Sequence, residues 1–121
     1  MSPVDELFAL YEQWRRLTED EGGAIEAGAW TQVEHYQSAK SRLQPRIIEV
    51  SQRVDAAAHE QNFRLVVERL MDLERRNSAR LQERRRAAQE QKQVLDRSTR
   101  HLRQIHKSYV PPARPHWQSY S

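Results

Sequence analysis

From Phe63 onward the non-polar positions keep returning at helical spacing: Phe63, Val66, Leu70, Leu73, Asn77, Leu81, Ala88, Leu95, Leu102, Ile105 and Tyr109, with only Asn77 breaking the apolar character. At about 1.5 Å per residue a helix over 62–108 reaches roughly 70 Å. A domain of 121 residues contains such a helix only if other helices lie along it. The middle of the segment, Gln82–Gln93, offers only Ala87 and Ala88 to an apolar stripe, so the stripe thins there.

Two shorter helical patterns precede it. Ser2, Pro3 and Asp5 have the order of an N-cap, a first-turn proline and an N3 acid. The apolar positions Leu7, Leu10, Tyr11, Trp14, Leu17, Ala24 and Ile25 then share one face, and Gly28 suits a left-handed stop. Thr31 and Glu34 have capping-box spacing, and from Trp30 a second seam runs Val33, Tyr36, Lys40, Leu43, Ile47, Val50, Val54, Ala57. That phase passes through Pro45, which predicts a bend near Gln44. It is lost at His59–Asn62, a predicted tight connection with Asn62 as the next N-cap.

The expected fold is therefore all-α: a long antiparallel helical hairpin or coiled-coil-like bundle of about three helices, near 3–27, 31–58 and 62–108, within one helical unit 1–109. The tail 110–121, with three prolines and no periodicity, is expected to be extended and flexible. Charge suggests how the helices pair. Residues 1–30 carry two arginines against seven acids, −5, and residues 62–121 carry fourteen bases against six acids, +8. The first two helices, joined as one bent rod along the third, would set these charges against each other. A three-helix arrangement, with helix 2 folded back on the first half of helix 3, is the alternative.

Composition narrows the function. With 37% apolar residues, 31% charged, a mean hydropathy of −0.98 and no cysteine, the chain buries narrow stripes and not the two-layered core around a concave site that an enzyme needs. None of His35, His59, His101, His106 and His116 has a second histidine or cysteine one turn away, so no metal site and no cofactor is expected. Gly22, Gly23 and Gly28 lack the lysine, hydroxyl and preceding strand of a phosphate loop. Glu19, Asp20 and Glu21 are consecutive, splay around a helix and read as a solvated face. Lys40 and Asn77 fall on otherwise apolar seams and read as a snorkelling lysine and a register-fixing asparagine. The longest aliphatic run outside alanine, Leu65-Val66-Val67, is far short of the roughly 20 residues that span a bilayer. The N-terminus has neither the basic region nor the apolar core of a secretion signal, so a cytoplasmic location is expected.

Asn77, Arg85, Leu95, Leu102 and Tyr109 match the asparagine, arginine and leucine spacing of basic leucine-zipper proteins, in which a basic helix enters the major groove. However, Arg80 and Leu81 stand where that family has two alanines, and the zipper reaches only about two heptads before Pro111. Nucleic acid is therefore not the expected partner.

A second resemblance covers about residues 4–109. Glu21-Gly-Gly-Ala-Ile-Glu-Ala-Gly-Ala-Trp30, with Val33 and Lys40-Ser-Arg-Leu43, resembles the helix, turn and Lys-x-x-Leu of the FlgN-like flagellar type III export chaperones. Leu70-Met-Asp-Leu-Glu-Arg-Arg-Asn77, with Leu81, is similar to the start of that family's long C-terminal helix. The resemblance implies a cytosolic chaperone, without nucleotide use, that holds the C-terminal segment of hook-associated subunits and delivers it to an export-gate component. Helix-in-groove recognition would serve. On this chain the client surface would be Val94, Leu95, Leu102, Ile105 and Tyr109, unless that cluster packs on Leu7, Leu10, Tyr11 and Trp14. Trp117 and Tyr120 in the tail would dock on the gate. A homodimer is compatible with the pattern. The alternatives are a basic-zipper-like nucleic-acid binder and a purely structural coiled coil.

Overall fold

The structure, a computed structural model, describes residues 2–109 and contains three helices: α1 Pro3–Ala27, α2 Trp30–Ser51 and α3 Ala56–Tyr109. The tail 110–121, with Trp117 and Tyr120, lies outside the described residues. By contacts the chain divides between Arg84 and Arg85 into two units, and the long α3 contributes to both.

Local chemistry sets the ends of α1. The Ser2 hydroxyl accepts from the Asp5 amide at 3.2 Å, and Pro3, which has no amide proton to leave unpaired, opens the first turn. At the other end Gly28 takes φ 68°, a left-handed conformation that costs glycine nothing. The Gly28 and Ala29 amides then close back on Ile25 O at 3.1 Å and Ala24 O at 2.9 Å. This turn reverses the chain. α2 runs antiparallel along α1, with Val33 beside Ile25, Lys40 beside Glu21, and Val50 beside Leu7 and Leu10. The bent rod expected of the first two helices is thus a hairpin, and the acids Glu6, Glu21 and Glu26 pair with bases of residues 1–84. Thr31 and Glu34 do not form their capping box, because α2 already begins at Trp30 with Ala29 as its N-cap.

α2 continues through Pro45, which is on the solvent side, so the Ser41 carbonyl that loses its usual donor lies at an exposed position. The helix ends at Ser51, seven residues before the expected stop. The turn is Gln52–Asp55, and Asp55 Oδ1 accepts from the Ala57 amide at 3.2 Å to start α3. His59–Asn62, expected to be the connection, is helix.

Within residues 1–84, α3 runs parallel to α1 and antiparallel to α2. Phe63 stacks on Phe8 with ring centroids 4.5 Å apart, Glu74 meets Trp14 and Thr18, and Arg80 pairs with Glu26 at 3.2 Å. α1 and α2 approach closely along their length, whereas α3 is held to them largely by long side chains. The apolar core is accordingly small and split. One cluster holds Leu7, Leu10 and Val50, with Tyr11, Leu43, Ile47, Val54 and Phe63 against it. The other holds Ala24, Ile25 and Val33, with Tyr36 and Leu81 against it. Each fully buried aliphatic side chain contributes about 1.5–3 kcal/mol.

Residues 85–108 are a helix whose side chains are exposed, Thr99 alone being half-buried.

Candidate functional site

Three features stand out: a buried polar layer, an apolar groove beside it, and an exposed seam on 85–108.

The polar layer separates the two apolar clusters. Lys40 is 6% exposed and Glu21 3%, and Nζ of Lys40 donates to Glu21 Oε1 at 3.0 Å and to Glu74 Oε1 at 2.7 Å. Glu74 Oε1 also accepts from Trp14 Nε1 at 3.0 Å, and the Lys40 ammonium lies 5.4 Å from the centre of the Trp14 ring. Asn77 uses both protons of Nδ2, one on Thr18 O at 2.7 Å and one on Glu21 Oε1 at 2.9 Å. The Thr18 hydroxyl lies 2.8 Å from Trp14 O and 3.1 Å from Glu74 Oε1, and its single proton serves one of them at a time. Among the described residues no buried side-chain nitrogen or oxygen lacks a partner. Such a layer adds little net stability, since desolvating three charged groups offsets their attraction, but a shifted α3 would break every bond in it. Its chemistry is that of a register lock.

Lys40 therefore does not snorkel out of its seam, and Glu21 is not part of a solvated acidic face. Asn77 does sit in the interior, where a register-fixing asparagine belongs. α1 is continuous through Gly22, where a Cβ would come 2.6 Å from Oδ1 of Asn77. The missing side chain makes room for the asparagine.

The groove, about 530 Å³, opens beside this layer between α2 and α3. Tyr11, Trp14, Ile47 and Leu70 line it together with the half-exposed Ile48 and Met71, and Glu74 marks its polar end. Sequence reasoning missed it, because Ile48 and Met71 lie off the seams that periodicity singles out.

On 85–108 the expected client residues Val94, Leu95, Leu102 and Ile105 are 54%, 65%, 66% and 40% exposed. Within residues 1–84, Leu7, Leu10, Tyr11 and Trp14 have Val50, Phe63, Lys40 and Glu74 as neighbours. Tyr109 is the last residue of α3, and its side chain lies outside the described part. Among the described residues no group of three His, Cys, Asp or Glu is placed to hold a metal ion, and no helix is long and apolar enough to cross a membrane.

No family model, no curated protein and no solved structure matches this chain.

Tyr11, Glu12 and Arg15 are perturbed, Arg15 upward by its hydrogen bonds to Glu12 and Glu19. Burial pushes the Tyr11 phenol above its ordinary 10.0. The hydrogen bond from Arg15 holds the exposed Glu12 carboxyl below the ordinary carboxylate range.

Proposed function

We propose that this chain is a cytoplasmic export chaperone of the FlgN-like kind, which holds the amphipathic C-terminal segment of a hook-associated flagellar subunit and passes it to the export gate. The observation that carries this reading is the exposed seam Val94, Leu95, Leu102 and Ile105. Four large aliphatic side chains on one helical stripe are a cost in water unless something covers them, and an amphipathic helix with anchors at i, i+3, i+4 and i+7 has the shape to do so. The compact three-helix part supports the reading as a scaffold: its register is locked by the Lys40, Glu21, Glu74 and Asn77 layer, so α3 has a fixed start. The resemblance over residues 4–109 supplies the identity of the client. Trp117 and Tyr120 are assigned to gate docking, so deleting 110–121 should spare folding and client binding while weakening gate binding.

The test is co-expression of the full chain with each hook-associated subunit of the same genome, followed by affinity capture. One such subunit is expected to co-purify, and to be lost when its C-terminal segment is removed. Absence of every flagellar subunit, or retention without that segment, would contradict the proposal.

A further inference from the structure

The exposed part of α3 has a second property besides its apolar stripe. Residues 85–108 carry seven lysines and arginines against Glu90 and Asp96, a net +5, and all of these charged residues are exposed. At about 1.5 Å per residue they form a rod about 36 Å long. The rod is not apolar enough to cross a membrane.

The charges take a definite arrangement around the stripe. At about 100° per residue, Val94, Leu95, Leu102 and Ile105 fall within an arc of about 100°, and neither acid lies inside it. Gln91 and Ser98 share the arc, so the stripe is only moderately apolar. Lys92, Arg85 and Arg103 follow on one side, about 110–130° from its centre, and Arg97 and Arg86 lie at similar angles on the other. Glu90 stands at this second border and makes it the weaker of the two. Arg100 and Lys107 fall almost opposite the stripe, with Asp96 between Arg103 and Lys107. The helix thus has one apolar face, and bases are spread over the whole of the other.

We propose that residues 85–108 bind the surface of an anionic lipid bilayer and lie in its plane. Val94, Leu95, Leu102 and Ile105 enter the boundary between headgroups and acyl chains, while Arg85, Lys92, Arg97 and Arg103 reach the phosphate layer. A basic helix with a single apolar face is the form that such interfacial segments take. Bases just beyond the equator of a half-sunken helix come up to the phosphates on their long stems. Arg100 and Lys107 face water, yet a helix about 10–12 Å across keeps them within roughly a Debye length of the charged surface, where its potential still attracts them. A nucleic-acid backbone would satisfy the bases but leave the four aliphatic side chains in water. A single partner helix on the stripe would leave Arg100 and Lys107 on the far side of its contact, and a second copy of this segment would set +5 against +5. This lipid contact does not rest on the client reading, but both use one stripe, so client capture and lipid binding exclude each other.

The test uses the full chain and sedimentation with vesicles of phosphatidylcholine alone or of phosphatidylcholine with about 30% phosphatidylserine, at about 100 and 500 mM salt. Binding to the anionic vesicles should be about tenfold or more tighter than to the neutral ones at low salt, and the difference should narrow at high salt. Replacing Lys92, Arg97 and Arg103 together by glutamine should weaken anionic-vesicle binding by about 10- to 100-fold. Replacing Leu95, Leu102 and Ile105 together by glutamine leaves every charge in place and should abolish it. All six positions are exposed, so the circular dichroism of the free protein should be unchanged in both variants. The chain has no cysteine, so an environment-sensitive dye can be attached at one site only, through Leu95→Cys on the stripe or Gln93→Cys on the far side. On anionic vesicles its emission should shift to the blue at position 95 and keep its aqueous value at position 93. Absence of vesicle binding, or equal binding to the two compositions, would overturn the proposal and leave the client reading to its own test. Undiminished binding of the Leu95, Leu102 and Ile105 variant, or equal dye shifts at the two positions, would show charge attraction without a buried face and overturn it as well. Tighter binding of a mixed-sequence DNA duplex than of the anionic vesicles, unaffected by that variant, would assign the bases to nucleic acid instead.

Discussion

Asn77 occupies the space that a side chain at Gly22 would need: a Cβ there would lie 2.6 Å from Asn77 Oδ1, and Asn77 is pinned by two hydrogen bonds from Nδ2. The neighbouring Gly23 has nothing within 4 Å of the same atom. Both are glycines in the interior of one helix, where alanine is ordinarily better by about 0.5–1 kcal/mol. Gly23→Ala should therefore raise stability by about that amount, whereas Gly22→Ala should lower it. Urea denaturation of the two variants checks the opposite signs.

Lys40 is the only cation among the bonds of the buried layer, and it serves both Glu21 and Glu74. Lys40→Met leaves the Glu21 carboxylate inside without its counter-charge, a change that typically costs about 3–5 kcal/mol. Lys40→Met combined with Glu21→Leu removes the stranded charge and should recover a large part of that loss. A double-mutant cycle measured by chemical denaturation gives the coupling.

The client seam and the core should respond differently to truncation. Leu95→Gln and Leu102→Gln alter exposed positions and should leave stability within about 0.5 kcal/mol. Leu10→Ala and Ile25→Ala empty buried ones and should cost about 2–5 kcal/mol. The same exposed substitutions should abolish client capture. Thermal melts and a binding assay on one panel of variants separate the two roles.

Burial raises the Tyr11 phenol above its ordinary 10.0, so the folded state holds that proton longer than the unfolded state does. Stability tied to this group is present below pH 10 and is lost as pH rises through the raised value. Tyr11→Phe should flatten the fall of melting temperature between about pH 9 and pH 11. An unchanged slope in that variant would assign the alkaline loss to other groups.

The parts of this fold that were legible in the sequence are those set by local backbone chemistry. Ser2, Pro3 and Asp5 cap α1 as their order predicts, and Gly28 ends it in the only positive-φ conformation among the described residues. The α2–α3 junction was not legible, because Val54 and Ala57 keep the seam in phase across a turn that Asp55 in fact caps. The pairing of the helices was misjudged for an energetic reason. The summed charges favour residues 1–30 lying along the basic part of α3, yet exposed ion pairs are too weak to decide topology. The turn at Gly28 and two small apolar clusters decide it instead. The polar layer was half visible: Lys40 and Asn77 interrupt apolar seams and so draw notice, whereas Thr18, Glu21 and Glu74 look like ordinary surface residues. The burial of Thr18 and Glu21 and the half-burial of Glu74 follow from three helices meeting, which no single periodicity records. Val94, Leu95, Leu102 and Ile105 are exposed, which the sequence does not tell, because periodicity alone does not distinguish a stripe that is covered from one that is not.

The central claim is that a client segment lies along residues 85–108. An uncovered helix opens locally at small free-energy cost, so its amides exchange quickly in the free protein. Hydrogen exchange of the full chain, alone and saturated with the C-terminal segment of its hook-associated subunit, tests the claim most directly. The account predicts that 85–108 exchange fast in the free chain and gain strong protection on binding, centred on Leu95–Ile105. Protection confined to residues 2–84, or no change along 85–108 at saturation, would contradict it.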